Sequence, residues 1–342
     1  MKNSESTTFE PDVTSTSAPT VPRARRFISK RRIVFIIKFL ITFSVMLMLV
    51  KRIQVHNIKS SLQTANHIFI ALGFLLMFPN VYVQYRKWHY VLSLVKPNVS
   101  RKESLYSLLV GFTFGFITPG RLGEFGRAFF IKDCHWLRVI GISFIDKFFS
   151  QAIVFFCGAV GFLIILGKQL QFYSLLPIII FAIITMLLLR YILVHPEVFR
   201  GFLYNLNVIL PFREKIKILI SSFDDFHRQQ ALKLLGFSAL FYLIILSQYY
   251  VLLLAFEAIH PFETFQAISS TLLVKSMLPI SLGDLGIRES AAIFFLGKVG
   301  GSKAAAFNAS ILVFAINILI PSMVGLVLVL KNRLINWYEP AR

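Results

Sequence analysis

Charge is scarce in this 342-residue chain. Asp, Glu, Lys and Arg make up 15% of it, where a soluble domain carries about 25%. Acidic residues are the scarcest of these, 16 against 36 Lys and Arg, which leaves a formal net charge of +20. Cysteine is almost missing. Cys134 and Cys157 lack metal-ligand spacing and Cys157 lies inside an apolar run, so both read as small apolar residues. No His, Cys and acid cluster has metal spacing, and Gly297-Lys298 is no phosphate loop. Neither a metal nor a cofactor is expected.

Apolar sequence takes the place of charge, with 56% of residues hydrophobic. Runs of roughly 20 apolar residues recur from Ile33 to Leu330, the length a helix needs to cross a bilayer core. The fold class is therefore an all-α integral membrane protein. The basic excess sits mostly between these runs, where it sets orientation and meets anionic lipid head groups, so nucleic acid is not expected as a partner.

The organisation follows from composition. Residues 1–32 read as a disordered tail rich in Ser, Thr and Pro, ending in the basic cluster Arg23, Arg25, Arg26, Lys30, Arg31 and Arg32. A membrane domain spans 33–332, and residues 333–342 form a short tail. Six full-length helices are predicted: Ile33–Val50, Ile68–Val95, Val139–Leu166, Phe172–Leu193, Leu234–Phe256 and Ala304–Leu330. The first follows a polar tail and lacks a small-residue cleavage pattern, so it reads as retained rather than as a cleaved signal. Two further apolar segments, 104–131 and 264–296, are broken by Thr118-Pro-Gly-Arg-Leu-Gly and by Leu278-Pro-Ile-Ser-Leu-Gly-Asp-Leu-Gly. Each reads as a re-entrant hairpin of two half-length helices, tolerated at membrane depth only against protein or a wet cavity. With both termini cytoplasmic, the loops rich in Lys and Arg fall inside and the stretch around Glu257–Glu263, which has none, falls outside. Lys51, Arg52 and Lys59 go against that pattern.

The two broken segments match each other. Pro119/Pro279, Leu122/Leu282, Gly123/Gly283, Glu124/Asp284 and Gly126/Gly286 all differ by 160, and Arg127 and Arg288 follow with a slip of one. Three predicted helices separate the hairpins, an odd number, so the repeat is expected to be inverted. Gly/Pro-interrupted helices at corresponding positions of inverted repeats point to a transporter binding site. Gly120, Gly123, Gly126, Gly283 and Gly286 permit tight backbone around Pro119 and Pro279. The second half-helices, starting near Glu124 and Asp284, would turn free N–H groups toward a phosphate. Arg121, Arg127 and Arg288 would add charge-assisted contacts to it. Glu124, Asp284 and Glu289 would orient those arginines, accept a cationic head group or carry a proton. Alternatively, Glu124–Arg127 and Asp284–Arg288 are local pairs with no ligand. Lys275 is placed to face the same cavity, and Asp146-Lys147 to lie near the interface. Asn80 and Asn317 read as helix–helix hydrogen bonds.

At these residues the sequence resembles the membrane, flippase-like domain of bacterial lysylphosphatidylglycerol synthases. The pattern P-x-x-x-G-E-x-x-R is matched by Pro119, Gly123, Glu124 and Arg127. A second, L-P-x-S-x-G-x-x-G-x-R-E, is matched by Leu278, Pro279, Ser281, Gly283, Gly286, Arg288 and Glu289, and brings Ser281 into the candidate site. Tyr85-Arg86-Lys87-Trp88 is similar to an early Arg-Trp element of that family. Two departures stand out: Ile145-Asp146-Lys147 where the family has a Glu-Arg-x-x-Asp stretch, and Asp284 where glycine is expected. The resemblance implies a bacterial inner-membrane protein moving a lipid with a phosphate-bearing head between leaflets. That lipid would be an aminoacyl-phospholipid, a polyprenyl-phosphate sugar or similar. The aminoacyl-transfer domain of full-length synthases has no counterpart in these residues, so transport is expected rather than catalysis. The alternatives are an accessory subunit for a separate glycosyltransferase or lipid synthase, and an intramembrane lipid-modifying enzyme.

Overall fold

Hydrocarbon offers backbone N–H and C=O groups no water, so apolar runs of this length satisfy themselves as helix. A computed structural model describes residues 43, 47, 48, 55–118, 120–167, 172–194, 217–219, 221–223, 226–278, 281 and 284–338. The expected tail at 1–32, nearly all of the expected helix Ile33–Val50, and the turn residues Pro119, Pro279 and Gly283 lie outside the described residues.

The helices are α1 (Val55–Gln63), α2 (His67–Leu75), α3 (Met77–Ser93), α4 (Arg101–Ile117), α5 (Trp136–Leu166) and α6 (Phe172–Val194). They continue with α7 (Arg228–Leu254), α8 (Pro261–Met277), α9 (Ile287–Lys298), α10 (Lys303–Phe314) and α11 (Ile320–Tyr338). Among the described residues, four stretches are long and apolar enough to cross a membrane: His67–Ser93, Trp136–Leu166, Arg228–Leu254 and Lys303–Lys331. The shortest have 27 residues, about 40 Å of helix against a hydrocarbon core of about 30 Å. The chain is a multi-pass helical membrane protein. The expected span Phe172–Leu193 is a helix, α6, but its apolar part is the shorter Leu176–Leu188. The helix α7 begins six residues before its apolar run because its polar first turn is capped, the His227 N–H donating to Gln230 Oε1 at 3.2 Å. Pro79 lies just inside the start of α3, beyond the break at Leu76 that separates it from α2.

Both broken segments are helical with an interruption. Their first limbs, α4 and α8, have 17 residues each, about 25 Å and too short to cross alone. The limbs keep the offset of 160 at both ends. The second limbs differ from the expected pair of half-helices. After Asp284 comes α9, an α-helix, but after Arg121 comes a nine-residue 3₁₀ helix, Leu122–Phe130. That segment carries two glycines, which weaken an α-helix, and lies hard on α4. A Cβ at Gly123 would land on the Phe114 carbonyl, and one at Gly115 on the Glu124 side chain.

The resulting order repeats. A 27-residue span, a 17-residue limb, a short limb and a long helix occur as 67–93, 101–117, 122–130 and 136–166. They occur again as 228–254, 261–277, 287–298 and 303–331. The packing is reciprocal: α4 lies against α11, and α8 lies against α5. Small residues bring these backbones together. Gly325 of α11 faces the Leu109 backbone, while Gly158 and Gly161 of α5 face the backbone of Ser269 and Gln266 on α8. Apolar cores sit on either side of the limbs, one around Trp88, Ile142 and Phe149, the other around Tyr249, Ile268 and Phe295.

Candidate functional site

Left-handed backbone, buried charge and open space meet at the limb tips. The tips touch, the Gly120 N–H donating to the Ser281 carbonyl at 3.4 Å. Gly120 has φ 59° and Arg121 φ 56°, so the first tip holds two successive left-handed residues, one of them not glycine. At the second tip Asp284 has φ 63° and Gly286 φ 86°. The left-handed backbone explains why glycine is the expected residue at 284; Asp is among the few others that tolerate it.

The helix ends do not present the open anion sites expected of them. The Gly123 N–H donates to Thr118 Oγ1 at 2.6 Å, and the Gly286 N–H donates to Glu289 Oε2 at 2.6 Å. The chain's own oxygens thus occupy donors that a phosphate would have used.

Cationic side chains supply the attraction instead. Arg127 is buried, its guanidinium 3.5 Å from the centre of the Trp88 ring, with Nη2 donating to Asp146 Oδ2 at 2.9 Å. Trp88 is held in turn by Nε1 donating to Ser107 Oγ at 2.8 Å. The other oxygen of Asp146 faces Lys87 Nζ at 2.9 Å. Asp146 therefore bridges two cations. Glu124 does the same, pairing with Arg121 through one oxygen and with Lys147 through the other. The local pairs Glu124–Arg127 and Asp284–Arg288 are not formed. Each acid has partners from another stretch of chain or from the tip, and the limb directs Arg127 toward α3 and α5.

The second hairpin is balanced one to one. Lys275 Nζ lies 3.1 Å from Asp284. Arg288 pairs with Glu289, which is fully buried, and Nε of Arg288 also donates to Ser310 Oγ at 3.0 Å. Glu289 thus orients Arg288 and caps α9. Ser281 is buried, and its hydroxyl has no hydrogen-bond partner among the described residues.

Between the hairpins lies a cavity of about 160 Å³. Of the residues singled out from the sequence, Arg121, Glu124, Arg127, Lys275 and Arg288 line it; Asp284, Glu289 and Ser281 do not. Lys87, Asp146 and Lys147, outside the expected site residues, line it too. Asn80 and Asn317 are hydrogen-bonded at 3.1 Å as expected, and Gln248 joins them, accepting from Asn317 Nδ2 at 2.8 Å. Asn317 sits in a π-helical turn, Ala315–Leu319, a widening that often marks functional positions. The signal for the missed residues was present: ionisable groups within apolar helices are functional candidates by default.

The lining carries six cations, Lys87, Arg121, Arg127, Lys147, Lys275 and Arg288, and their ion-pair partners are four acids. Among the described residues two positive charges remain, both on the side of the first hairpin. Cys134 and Cys157 are free thiols away from this lining, and burial pushes the Cys134 thiol up, which makes it a poor nucleophile.

A family model described as lysylphosphatidylglycerol synthase TM region matches residues 35–325. No curated protein matches the chain.

Proposed function

The chain belongs to the lysylphosphatidylglycerol synthase TM-region family, and from that premise we propose that it moves a phosphate-bearing lipid head group between leaflets. The family ties the chain to membrane lipid. The reading of transport rests on one observation above others: a charged cavity with cationic excess lies where two interrupted limbs meet. Buried charges at membrane depth are costly and mark substrate paths. The head group passes between the limb tips while the acyl or prenyl tails stay in lipid. The phosphate is held by the side chains of Arg121, Lys147 and Arg127, with Arg288 across the cavity. Helix ends contribute less than expected, because the Gly123 and Gly286 N–H groups already donate to Thr118 and Glu289. We take α6, whose apolar part is the shorter Leu176–Leu188, to cross together with α5 and α7; an odd number of crossings brings the hairpins in from opposite faces, the geometry of inverted-repeat transporters. An intramembrane transferase would need an acid free to move a proton, and Glu124, Asp146 and Asp284 are each tied to cations.

Reconstitution tests this. Purified protein in liposomes should speed transbilayer exchange of a labelled anionic phospholipid over protein-free vesicles. Arg127→Ala combined with Arg288→Ala should abolish the gain at equal amounts of folded protein. No acceleration with any of several phosphate lipids would contradict transport. Product formed from a lipid-linked donor without other proteins would favour the enzyme.

A further inference from the structure

We infer that the cavity selects head groups carrying about two negative charges and disfavours cationic, aminoacylated ones. This rests on the reading of the cavity as a head-group site. Asp146 lies between Lys87 and Arg127, and Glu124 between Arg121 and Lys147, so each group of three carries one uncompensated positive charge. Both groups line the same cavity. Across it, Lys275 and Arg288 are each matched by one acid. Water screens such an excess poorly at this depth, and a ligand that cancels it removes the repulsion among the cations. A phosphomonoester carries about 1.5 to 2 negative charges at neutral pH, and a lipid diphosphate carries at least as many. A phosphodiester carries one. An aminoacyl phosphodiester with two amino groups is net positive, and would add repulsion where the protein already has an excess. The cavity of about 160 Å³ lies below the range of about 300–1,000 Å³ usual for drug-sized ligands, which suits a compact phosphate head.

Asp284 sets the size of that excess. It neutralises Lys275 and occupies a left-handed position with φ 63°. Asn is equally tolerant of that backbone, so Asp284→Asn frees the Lys275 charge with little disturbance to the tip. The excess then rises from two to three. Lys147→Gln does the reverse: it frees one acceptor of Glu124 and lowers the excess to one. Lys147 is the most exposed partner in these ion pairs, its side chain 37% accessible, so the fold bears its loss.

The test is equilibrium binding to purified protein in detergent, with dihexanoyl phosphatidic acid, dihexanoyl phosphatidylglycerol and the lysyl ester of the latter as probes. Inorganic phosphate is a fourth probe, and circular dichroism and thermal unfolding check the fold of each variant. Affinity should fall in the order phosphatidic acid, phosphatidylglycerol, lysyl ester, by about tenfold per charge, the scale of one charge-assisted contact. Asp284→Asn should tighten phosphatidic acid, and Lys147→Gln should weaken it. Inorganic phosphate, matched in charge to the phosphatidic acid head, should bind more weakly than phosphatidic acid; equal or tighter binding would make the cavity a site for free phosphate and overturn the lipid assignment. Equal affinity for the three lipids, tighter binding of the lysyl ester, or no shift in folded Asp284→Asn would overturn the charge selection. Charge-ordered binding without flux in liposomes would leave this inference standing and remove transport; flux without charge order would do the opposite.

Discussion

At the scale of the residue, the most informative position is Arg121. It is neither glycine nor asparagine, yet it holds φ 56° beside Gly120 at φ 59°. A left-handed residue with a Cβ costs about 1–2 kcal/mol, and such strain persists where the surroundings impose it, often at functional sites. Here the surroundings are the pair with Glu124 and the Phe112 ring 5.9 Å from the guanidinium. Replacement by glycine removes the strain and the charge together. Arg121→Gly should therefore leave the unfolding temperature unchanged or raised, while lowering lipid flux in liposomes at least severalfold. A fall in stability matching the fall in flux would show that Arg121 serves only the fold. The pairing at this scale was the part least legible in the sequence. Arg127 finds Asp146 and Trp88, and Lys147 finds Glu124; these partners come from other helices, and nothing local encodes the distance. The sequence offered the charges in apolar runs and the one-acid, one-arginine rhythm of each tip. It could not say that local spacing would lose to partners across the cavity.

At the scale of the element, much more was legible, because hydropathy, Pro and Gly act locally. The limbs 101–117 and 261–277 fall inside or beside the broken segments and keep the offset of 160. Four of the six predicted spans lie on helices long enough to cross. What local signals missed were the 3₁₀ form of Leu122–Phe130 and the capped helix ends. Both depend on how closely the second limb is pressed on α4, where Gly111 and Gly115 leave room for Arg127 and Glu124. The repeat makes a prediction of its own. Ser100 caps α4 and His260 stands at the N-cap position of α8, again 160 residues apart, and both are exposed. In an inverted arrangement these caps lie on opposite faces. With Cys134 and Cys157 replaced by serine, Ser100→Cys and His260→Cys should react with an impermeant thiol reagent from opposite sides of intact cells. Labelling of both from one side would rule out inversion.

At the scale of the whole molecule, the two halves reach across each other. The limb of the first lies on α11, and the limb of the second lies on α5. Their tips meet at a hydrogen bond between Gly120 and Ser281, beside the cavity. The cavity is lined from both halves, by Arg121, Glu124 and Arg127 of the first and by Lys275 and Arg288 of the second. The central claim is that a lipid phosphate reaches this space. A photoreactive amino acid at Gln151, which lines the cavity, tests it against one at Ile184, exposed on α6. Irradiation in liposomes should give a phosphate-lipid adduct at position 151 that dihexanoyl phosphatidic acid displaces, and at position 184 an adduct it does not displace. No adduct at 151, or one indifferent to the competitor while 184 labels normally, would contradict the account.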